Sequence, residues 1–317
     1  MISISLKKIL IVCISVIGLY SIFLSFSDLN LISDALLNFK TEFLPLILTL
    51  VTLGWVILFI RWQILLKNAN ITIPLRGSFV VYVSGFALQF IPGEVGEFLK
   101  VQLLKNKFNI TRSKTSPIII TEMLYNAIGL VALSVTSIWF FEFTIYIFVV
   151  FSILLVLLFY LINNKKYFLK IINKFLKIRF FKKYAEATSE SLEIIQNLTR
   201  GKVLVYSVTL SIFFWLIECI AIHLLLSSFG INTIELLALI PMYTGSIILG
   251  VVSFLPFGLG VFEGSLAGFM SLHGIHISIS LTIVILARII TRWYSVFVGL
   301  VALKITRGLS AHSNENE

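Results

Sequence analysis

The sequence predicts an all-α polytopic membrane protein with about six full crossings and two re-entrant helical hairpins broken by Pro and Gly. Hydrophobic residues make up 58% of the 317 residues, charged residues only 13%, and the mean hydropathy is +1.02. Soluble domains hold about 45–50% apolar and about 25% charged residues. The composition therefore excludes a soluble enzyme, a secreted disulfide scaffold and a disordered protein.

Six apolar stretches reach the length of about 20 residues that a helix needs to cross the hydrocarbon. The first follows Lys7 and Lys8, as in a signal peptide, but it exceeds the usual apolar core of about 7–15 residues. No cleavage site of small residues follows it, so we expect a retained first helix. The six predicted crossings are residues 8–26, 43–66, 117–140, 143–162, 203–229 and 277–306.

Basic residues predict how the chain is oriented. Residues 163–202 hold ten Lys or Arg against three Glu, a net charge of +7. Such a loop indicates the cytoplasmic side of a cell membrane and an anionic lipid surface, rather than nucleic acid, as its partner. Apolar residues recur at helical spacing over 165–177, which predicts an amphipathic helix on the inner leaflet. We expect one transmembrane domain over 1–317, with both termini cytoplasmic.

Two apolar stretches, 78–91 and 236–255, do not fit simple crossings, because each runs into Pro and Gly, which break helices. Broken backbone at membrane depth is tolerated where it lines a cavity or is buried in protein. Basic residues place both flanks of the first break inside, and the neighbouring spans place both flanks of the second outside. We therefore expect two hairpins entering from opposite faces. The predicted break residues are Pro92, Gly93, Gly96, Pro256, Gly258 and Gly260.

The two breaks also resemble each other in sequence. Residues 90–96 and 254–260 share the pattern F-[I/L]-P-x-x-[V/L]-G. Matched broken segments in two halves of a chain indicate a transporter site formed by an inverted repeat. Chance similarity between apolar sequences is the alternative.

Charged residues inside the predicted membrane region are candidate substrate ligands, because each costs about 2.5–3.5 kcal/mol to insert. Arginine suits a lipid phosphate, which its planar guanidinium can bind bidentately. Two alternatives stay open: an ion pair that only fixes helix register, and a helix-dipole partner beside an interfacial lysine. The candidates are Glu97, Lys100, Glu122, Glu263, Arg288 and Arg292, with Glu218 as a further counter-charge.

No cofactor or metal site is predicted. The sequence has no P-loop, no nucleophile elbow, no zinc-protease motif and no dinucleotide fingerprint. Cys13 and Cys219 lie in apolar runs, and the histidines form no metal-ligand pattern.

Four segments resemble the lysylphosphatidylglycerol synthase/flippase transmembrane family. Residues 90–104 are similar to its P-G-x-x-G-E-x-x-R/K motif, and residues 254–264 to its P-x-G-L-G-x-x-E motif. Residues 287–294 are a weak match. Residues 121–126 depart from the family, with Met123 in place of arginine and Asn126 in place of aspartate. Family motif positions are matched by Glu97, Lys100, Glu122, Glu263 and Arg288.

The resemblance implies translocation of a phospholipid or lipid-linked headgroup between leaflets. Expected partners are an anionic phospholipid or a polyprenyl-phosphate-linked lipid. Family members that make aminoacylated lipid carry a further cytosolic transferase domain, so the chain resembles a stand-alone unit. Two alternatives remain: a membrane glycosyl or phospholipid transferase, and a non-catalytic accessory of a lipid-modifying transferase.

Overall fold

The computed structural model describes residues 28–89, 96–136, 142–164 and 185–314, together with Gly18 and Ser21, and contains no strand in these ranges. The predicted crossing 8–26 and the amphipathic helix predicted at 165–177 lie essentially outside the described residues. The α-helices are α1 (Leu29–Leu37), α2 (Leu44–Asn68), α3 (Leu75–Gly85), α4 (Leu99–Phe108), α5 (Arg112–Ser134), α6 (Glu142–Asn163), α7 (Ala185–Leu198), α8 (Gly201–Ser228), α9 (Leu236–Val252), α10 (Val261–Leu272), α11 (Ile277–Arg288) and α12 (Tyr294–Asn314).

Four helical segments in the described ranges are long and apolar enough to cross a membrane. They overlap four of the predicted crossings, those at 43–66, 117–140, 203–229 and 277–306. The fifth prediction, 143–162, coincides with α6. The four segments are Thr41–Asn68, Arg112–Ser134, Gly201–Ser228 and Ile277–Thr306.

Hydrogen bonds join neighbouring segments at the two opposite ends of the helical bundle. At one end, the backbone N–H of Asp28 donates to the Ser278 hydroxyl (3.0 Å), and that of Lys40 donates to the carbonyl of Ser228 (2.9 Å). At the other end, where α8 begins, Arg200 Nε donates to Asn163 Oδ1 (3.1 Å). The segment 28–42 and the flanks of the basic loop thus lie at opposite ends of the bundle.

Helices α3 and α4 form an antiparallel hairpin. A Cβ on Gly77, near the start of α3, would lie 2.7 Å from the ring of Phe108 at the end of α4. At the turn, a Cβ on Gly96 would overlap the carbonyl oxygen of Leu88. Contacts at both the open end and the turn mean that the chain leaves the hairpin at the end where it entered.

Helices α9 and α10 form the second hairpin. The rings of Tyr243 and Phe262 pack edge to face with centroids 5.8 Å apart. Phe257, at the turn of this hairpin, packs against Ala87, Leu88 and Leu99 of the first hairpin. The turn of the second hairpin therefore lies against the described part of the first hairpin.

Each hairpin packs against the long helix of the other half of the chain: α12 against α3, and α5 against α9. Gly299 of α12 makes the closest approach, because a Cβ there would overlap the backbone nitrogen of Ala87. Small residues let helix backbones approach in this way where lipid offers little hydrophobic drive for association.

Gly299→Ala should lower stability by about 1–3 kcal/mol, the usual cost of forcing extra atoms into a packed interface. Thermal unfolding in detergent measures this loss. Gly268→Ala is the matched control, since nothing lies within 4 Å of a Cβ at that helical glycine. Alanine is the better helix former, so the control should be neutral or slightly stabilising. Equal stability of the two variants would contradict the close packing of α12 on the first hairpin.

Candidate functional site

The turn of the second hairpin is a strained loop that separates α9, which ends at Val252, from α10, which begins at Val261. Phe254, Phe257, Gly258 and Gly260 all have positive φ, at 53°, 54°, 66° and 82°. For the two phenylalanines this conformation is uncommon and costs free energy. A Cβ on Gly258 would lie only 2.6 Å from the Cα of Gly250, so this position needs glycine. Strain of this kind concentrates at functional sites.

Glu263 and Arg288 hold the loop in place. One carboxylate oxygen of Glu263 accepts from the backbone N–H of Gly260 (2.7 Å) and caps α10, while the other accepts from Arg288 Nε (2.9 Å). Arg288 also donates to the carbonyl of Phe257 (2.7 Å), and its guanidinium lies 3.8 Å from the centre of the Phe262 ring. We call Glu263 and Arg288 the second cluster.

The structure describes the C-terminal side of the first break, from Gly96 onward. Gly96 begins a short 3-10 turn that leads into α4, and its contact with Leu88 requires glycine there. Residues 90–95, which include the predicted break residues Pro92 and Gly93, lie outside the described residues.

Lys100 lies at the centre of a buried group of charges. Its Nζ is 2.7 Å from Glu97 Oε2 and 2.7 Å from Glu122 Oε2. The ammonium also lies 4.9 Å and 5.1 Å from the ring centres of Trp62 and Tyr82. Lys100 is only 2% exposed, so carboxylates and aromatic faces replace its hydration shell.

Arg61 brings a second cation to this group. Its guanidinium lies 3.9 Å from Glu122 Oε1 and donates to the hydroxyl of Ser211 (2.6 Å). Two cations therefore face two carboxylates, which balances the charge of the group. We call Arg61, Glu97, Lys100 and Glu122 the first cluster.

A polar link joins the first cluster to the other half of the chain. The amide of Gln89 donates to Glu97 Oε1 (3.3 Å), and the hydroxyl of Ser295 donates to the amide oxygen of Gln89 (3.0 Å). Because Gln89 lies at the first break and Ser295 on α12, a rearrangement at either element must disturb the other.

The clusters have corresponding positions but opposite polarity. In the first half, Lys100 on the helix after the break pairs with Glu122 on the following long helix. In the second half, Glu263 on the helix after the break pairs with Arg288 on the following long helix. In each half, an ion pair thus joins the helix after the break to the long helix that follows it. This correspondence favours an internal repeat over chance similarity.

Arg292 and Glu218 stand apart from both clusters. Arg292 is half-buried and lies in a π-helical segment, Ile289–Trp293, that interrupts the last long helix. Such π segments are frequent at functional sites. Glu218 is buried on α8, and its Oε2 oxygen has no hydrogen-bond partner among the described residues.

Of the six predicted ligands, the structure brings Glu97, Lys100 and Glu122 together and pairs Glu263 with Arg288. Arg61, Gln89 and Ser295 were not among the predicted ligands. Arg61 could have been identified from the sequence, because an arginine inside an apolar span is a functional candidate in itself. Gln89 and Ser295 are uncharged, and nothing in their sequence context marks them. Among the described residues, no three His, Cys, Asp or Glu side chains come together as metal ligands.

The spanning helices, the two hairpins and the buried charges define a polytopic helical membrane protein. The family described as the lysylphosphatidylglycerol synthase TM region matches residues 7–299. The chain belongs to this family.

Two archaeal relatives are described as UPF0104 membrane proteins. One, from Methanothermobacter thermautotrophicus, is 30% identical over 106 residues, which cover 33% of this chain and 31% of the relative. The chain thus spans about a third of that relative's length. Another, from Methanocaldococcus jannaschii, is 22% identical over 324 aligned residues and covers 95% of both chains. The likeness to the second relative extends over the whole transmembrane region.

Replacing Glu263 with Gln should cost about 3–5 kcal/mol of stability, because it leaves the buried Arg288 charge without its carboxylate. The double variant Glu263→Gln/Arg288→Gln should recover much of that loss, since no net buried charge remains. Thermal unfolding of the wild type, both single variants and the double variant measures the coupling. Glu235→Gln, at an exposed position, is the control. Additive losses would show that the pair is not coupled.

Proposed function

We propose that the protein translocates a membrane lipid with an anionic headgroup, a phospholipid or a polyprenyl-phosphate-linked lipid, between the leaflets of the cell membrane. The description of its family names a membrane lipid, and the chain has the spanning helices that such a task requires. The observation that carries the proposal is the meeting of two broken hairpins, each tied to a long helix by a buried ion pair.

Buried charges next to strained backbone favour a transport role over a purely structural one. A buried ion pair adds little net stability compared with apolar packing, because desolvation offsets the attraction. The second cluster nevertheless holds a loop with four residues at positive φ. Stability alone gives no reason for this arrangement, whereas a site that must exchange partners needs polar groups and a backbone with more than one accessible conformation.

Arg292 is the cation that the headgroup meets first in this mechanism. It is half-buried, whereas Arg288 is 6% and Lys100 2% exposed. A phosphate at Arg292 then competes with the carbonyl of Phe257 for the guanidinium of Arg288. Charge-assisted bonds to phosphate are stronger than a bond to a neutral carbonyl. Replacement of the Phe257 carbonyl by the phosphate would release the turn of the second hairpin.

The two halves then move together. Phe257 packs against the first hairpin, and Ser295 binds Gln89 at its turn. Release of the second turn would therefore reach Glu97 and, through it, Lys100 and Glu122. In this mechanism the lipid headgroup passes from the second cluster to the first while its acyl chains stay in the bilayer.

Arg292→Gln should reduce translocation of a labelled anionic phospholipid by about 10- to 100-fold, since a hydrogen bond to a charged group contributes about 1.5–3 kcal/mol. The measurement uses proteoliposomes and a membrane-impermeant reagent that quenches label in the outer leaflet. Arg76→Gln is the matched control, because Arg76 is exposed and lies outside both clusters.

Equal rates for Arg292→Gln and the wild type would remove Arg292 from the mechanism. Wild-type protein that moves no lipid would contradict the proposed activity. Co-purification of a stoichiometric transferase would then support the accessory role instead.

The proposed topology places the two hairpins in the membrane from opposite faces, with both termini cytoplasmic. In a cysteine-free background, Arg76→Cys and Lys105→Cys, on the two limbs of the first hairpin, should react from the cytoplasmic side. Asn232→Cys and His276→Cys, which flank the second hairpin, should react from the other side. All four positions are exposed. An impermeant thiol reagent applied to intact cells and to inverted vesicles measures this, and labelling of either pair from two different sides would contradict re-entry.

A further inference from the structure

Helix α9 ends in a residue that is unusual for its backbone conformation. After Val252 the chain passes through Ser253 to Phe254, which has a φ of 53°. Helices often end in such a left-handed residue, and glycine or asparagine is favoured there because a larger side chain is strained. The other described helices that end in this way follow the rule, with Asn70, Asn109, Gly230 and Gly274. Among the described helix ends, Phe254 is the exception.

Packing within the protein does not account for a phenylalanine at this position. Phe257, which also has a positive φ, packs against Trp293 with ring centroids 5.7 Å apart and against the first hairpin, so these contacts offset its strain. Phe254, in contrast, is 75% exposed. A strained residue that the fold itself does not require points to a function for its side chain.

Phe254 belongs to an apolar surface at the turn of the second hairpin. Helix α9 is buried over most of its length up to Gly250, whereas Val251, Val252, Phe254 and Leu255 are exposed. We call these exposed residues the turn patch. The patch has no polar side chain that could bind a headgroup, so the part of a lipid that it fits is an acyl chain.

The turn patch adjoins the second cluster. The carbonyl of Phe257 accepts from Arg288 (2.7 Å), and the N–H of Gly258 donates to the carbonyl of Leu255 (2.9 Å). Phe254 and Phe257 are three residues apart, so their Cα atoms lie at most about 11 Å from each other. An acyl chain is longer than this distance. A lipid whose phosphate reaches Arg288 can therefore lay its chains on the patch.

We propose that Phe254 binds the acyl chains of the lipid whose headgroup is bound at the second cluster. This inference rests on the proposed translocation and narrows its substrate to molecules that carry both a phosphate and an acyl chain. Phe254 and the carbonyl of Phe257 lie on the same turn. Release of that turn by the phosphate therefore also moves the residue that contacts the chains, so that headgroup and chains move together.

The transport test uses Phe254→Gly, which removes the ring and also relieves the backbone strain. Its unfolding temperature should equal or exceed that of wild type, because glycine adopts a positive φ without strain. Translocation of the labelled anionic phospholipid should nevertheless fall about tenfold, as expected for loss of an apolar ring contact. Phe254→Leu, which keeps an apolar side chain, should retain most of the rate. Phe297→Ala is the control, since it removes a ring that is 66% exposed on α12 and should transport as wild type does.

Two results of this test would overturn the inference. One is a Phe254→Gly variant that is as stable as wild type and moves lipid equally fast. The other is a variant that unfolds at a lower temperature than wild type, which would assign a packing role to the ring.

A second measurement reads the contact directly and does not depend on transport. The photoreactive analogue benzoylphenylalanine replaces Phe254 or, as the control, Phe297, in vesicles made of equal parts of phosphatidylglycerol and phosphatidylcholine. Mass spectrometry of the cross-linked protein should show an excess of the anionic lipid at position 254 and equal capture of both lipids at position 297.

The cross-linking result separates this inference from the proposed function. Wild type that moves no lipid, together with an excess of the anionic lipid at position 254, would refute the translocation while keeping the acyl-chain site. Equal capture of both lipids at position 254 would show that bulk lipid covers the turn patch and would overturn the inference. Cross-linking to a second copy of the chain would overturn it as well, by assigning the patch to an interface.

Discussion

The need to balance charge in an interior of low dielectric constant is the constraint on which this structure depends. Burying an ion without a partner costs far more free energy than one hydrogen bond contributes. Each buried cation therefore needs a carboxylate beside it. In both clusters the partners come from different helices: Lys100 on α4 with Glu122 on α5, and Glu263 on α10 with Arg288 on α11. Charge balance therefore determines how these helices are placed, in a solvent where apolar side chains contribute little to helix association.

Close packing by glycine makes these ion pairs possible. Gly96 and Gly258 let each hairpin turn tightly, and Gly299 lets α12 lie directly on the first hairpin. Only at such short range can the amide of Gln89 reach both Glu97 and Ser295. The glycines and the charges are thus parts of one arrangement, in which the backbone is broken where the charged side chains of two helices have to meet.

Much of this fold could be predicted from sequence, because its signals are local. Apolar length predicted four long helices that the structure contains, and Pro256 with its neighbouring glycines marks the segment in which four residues have positive φ. The pairing within the site could not be predicted in the same way. Which carboxylate accepts from Lys100, and that Arg61 lies beside Glu122, depend on helix rotation and tilt, which sequence spacing does not determine. Gln89 and Ser295 were missed because an uncharged polar residue in a membrane helix costs too little to stand out.

The two clusters occupy equivalent positions but differ in burial and in the strain of the adjoining backbone. This difference gives the proposed cycle a direction. In the first cluster, Lys100, Arg61 and Glu122 are buried and the Lys100 ammonium lies against two aromatic rings, so exchange of a partner there requires the surrounding helices to move first. The second cluster binds a strained loop through the carbonyl of Phe257, and Arg292, four residues after Arg288, is half-buried. Strain lowers the cost of leaving the present conformation, since part of the energy needed is already stored in the backbone. In the proposed cycle a headgroup therefore acts first at the second cluster, and the contact of Phe257 with the first hairpin carries the change to the first cluster.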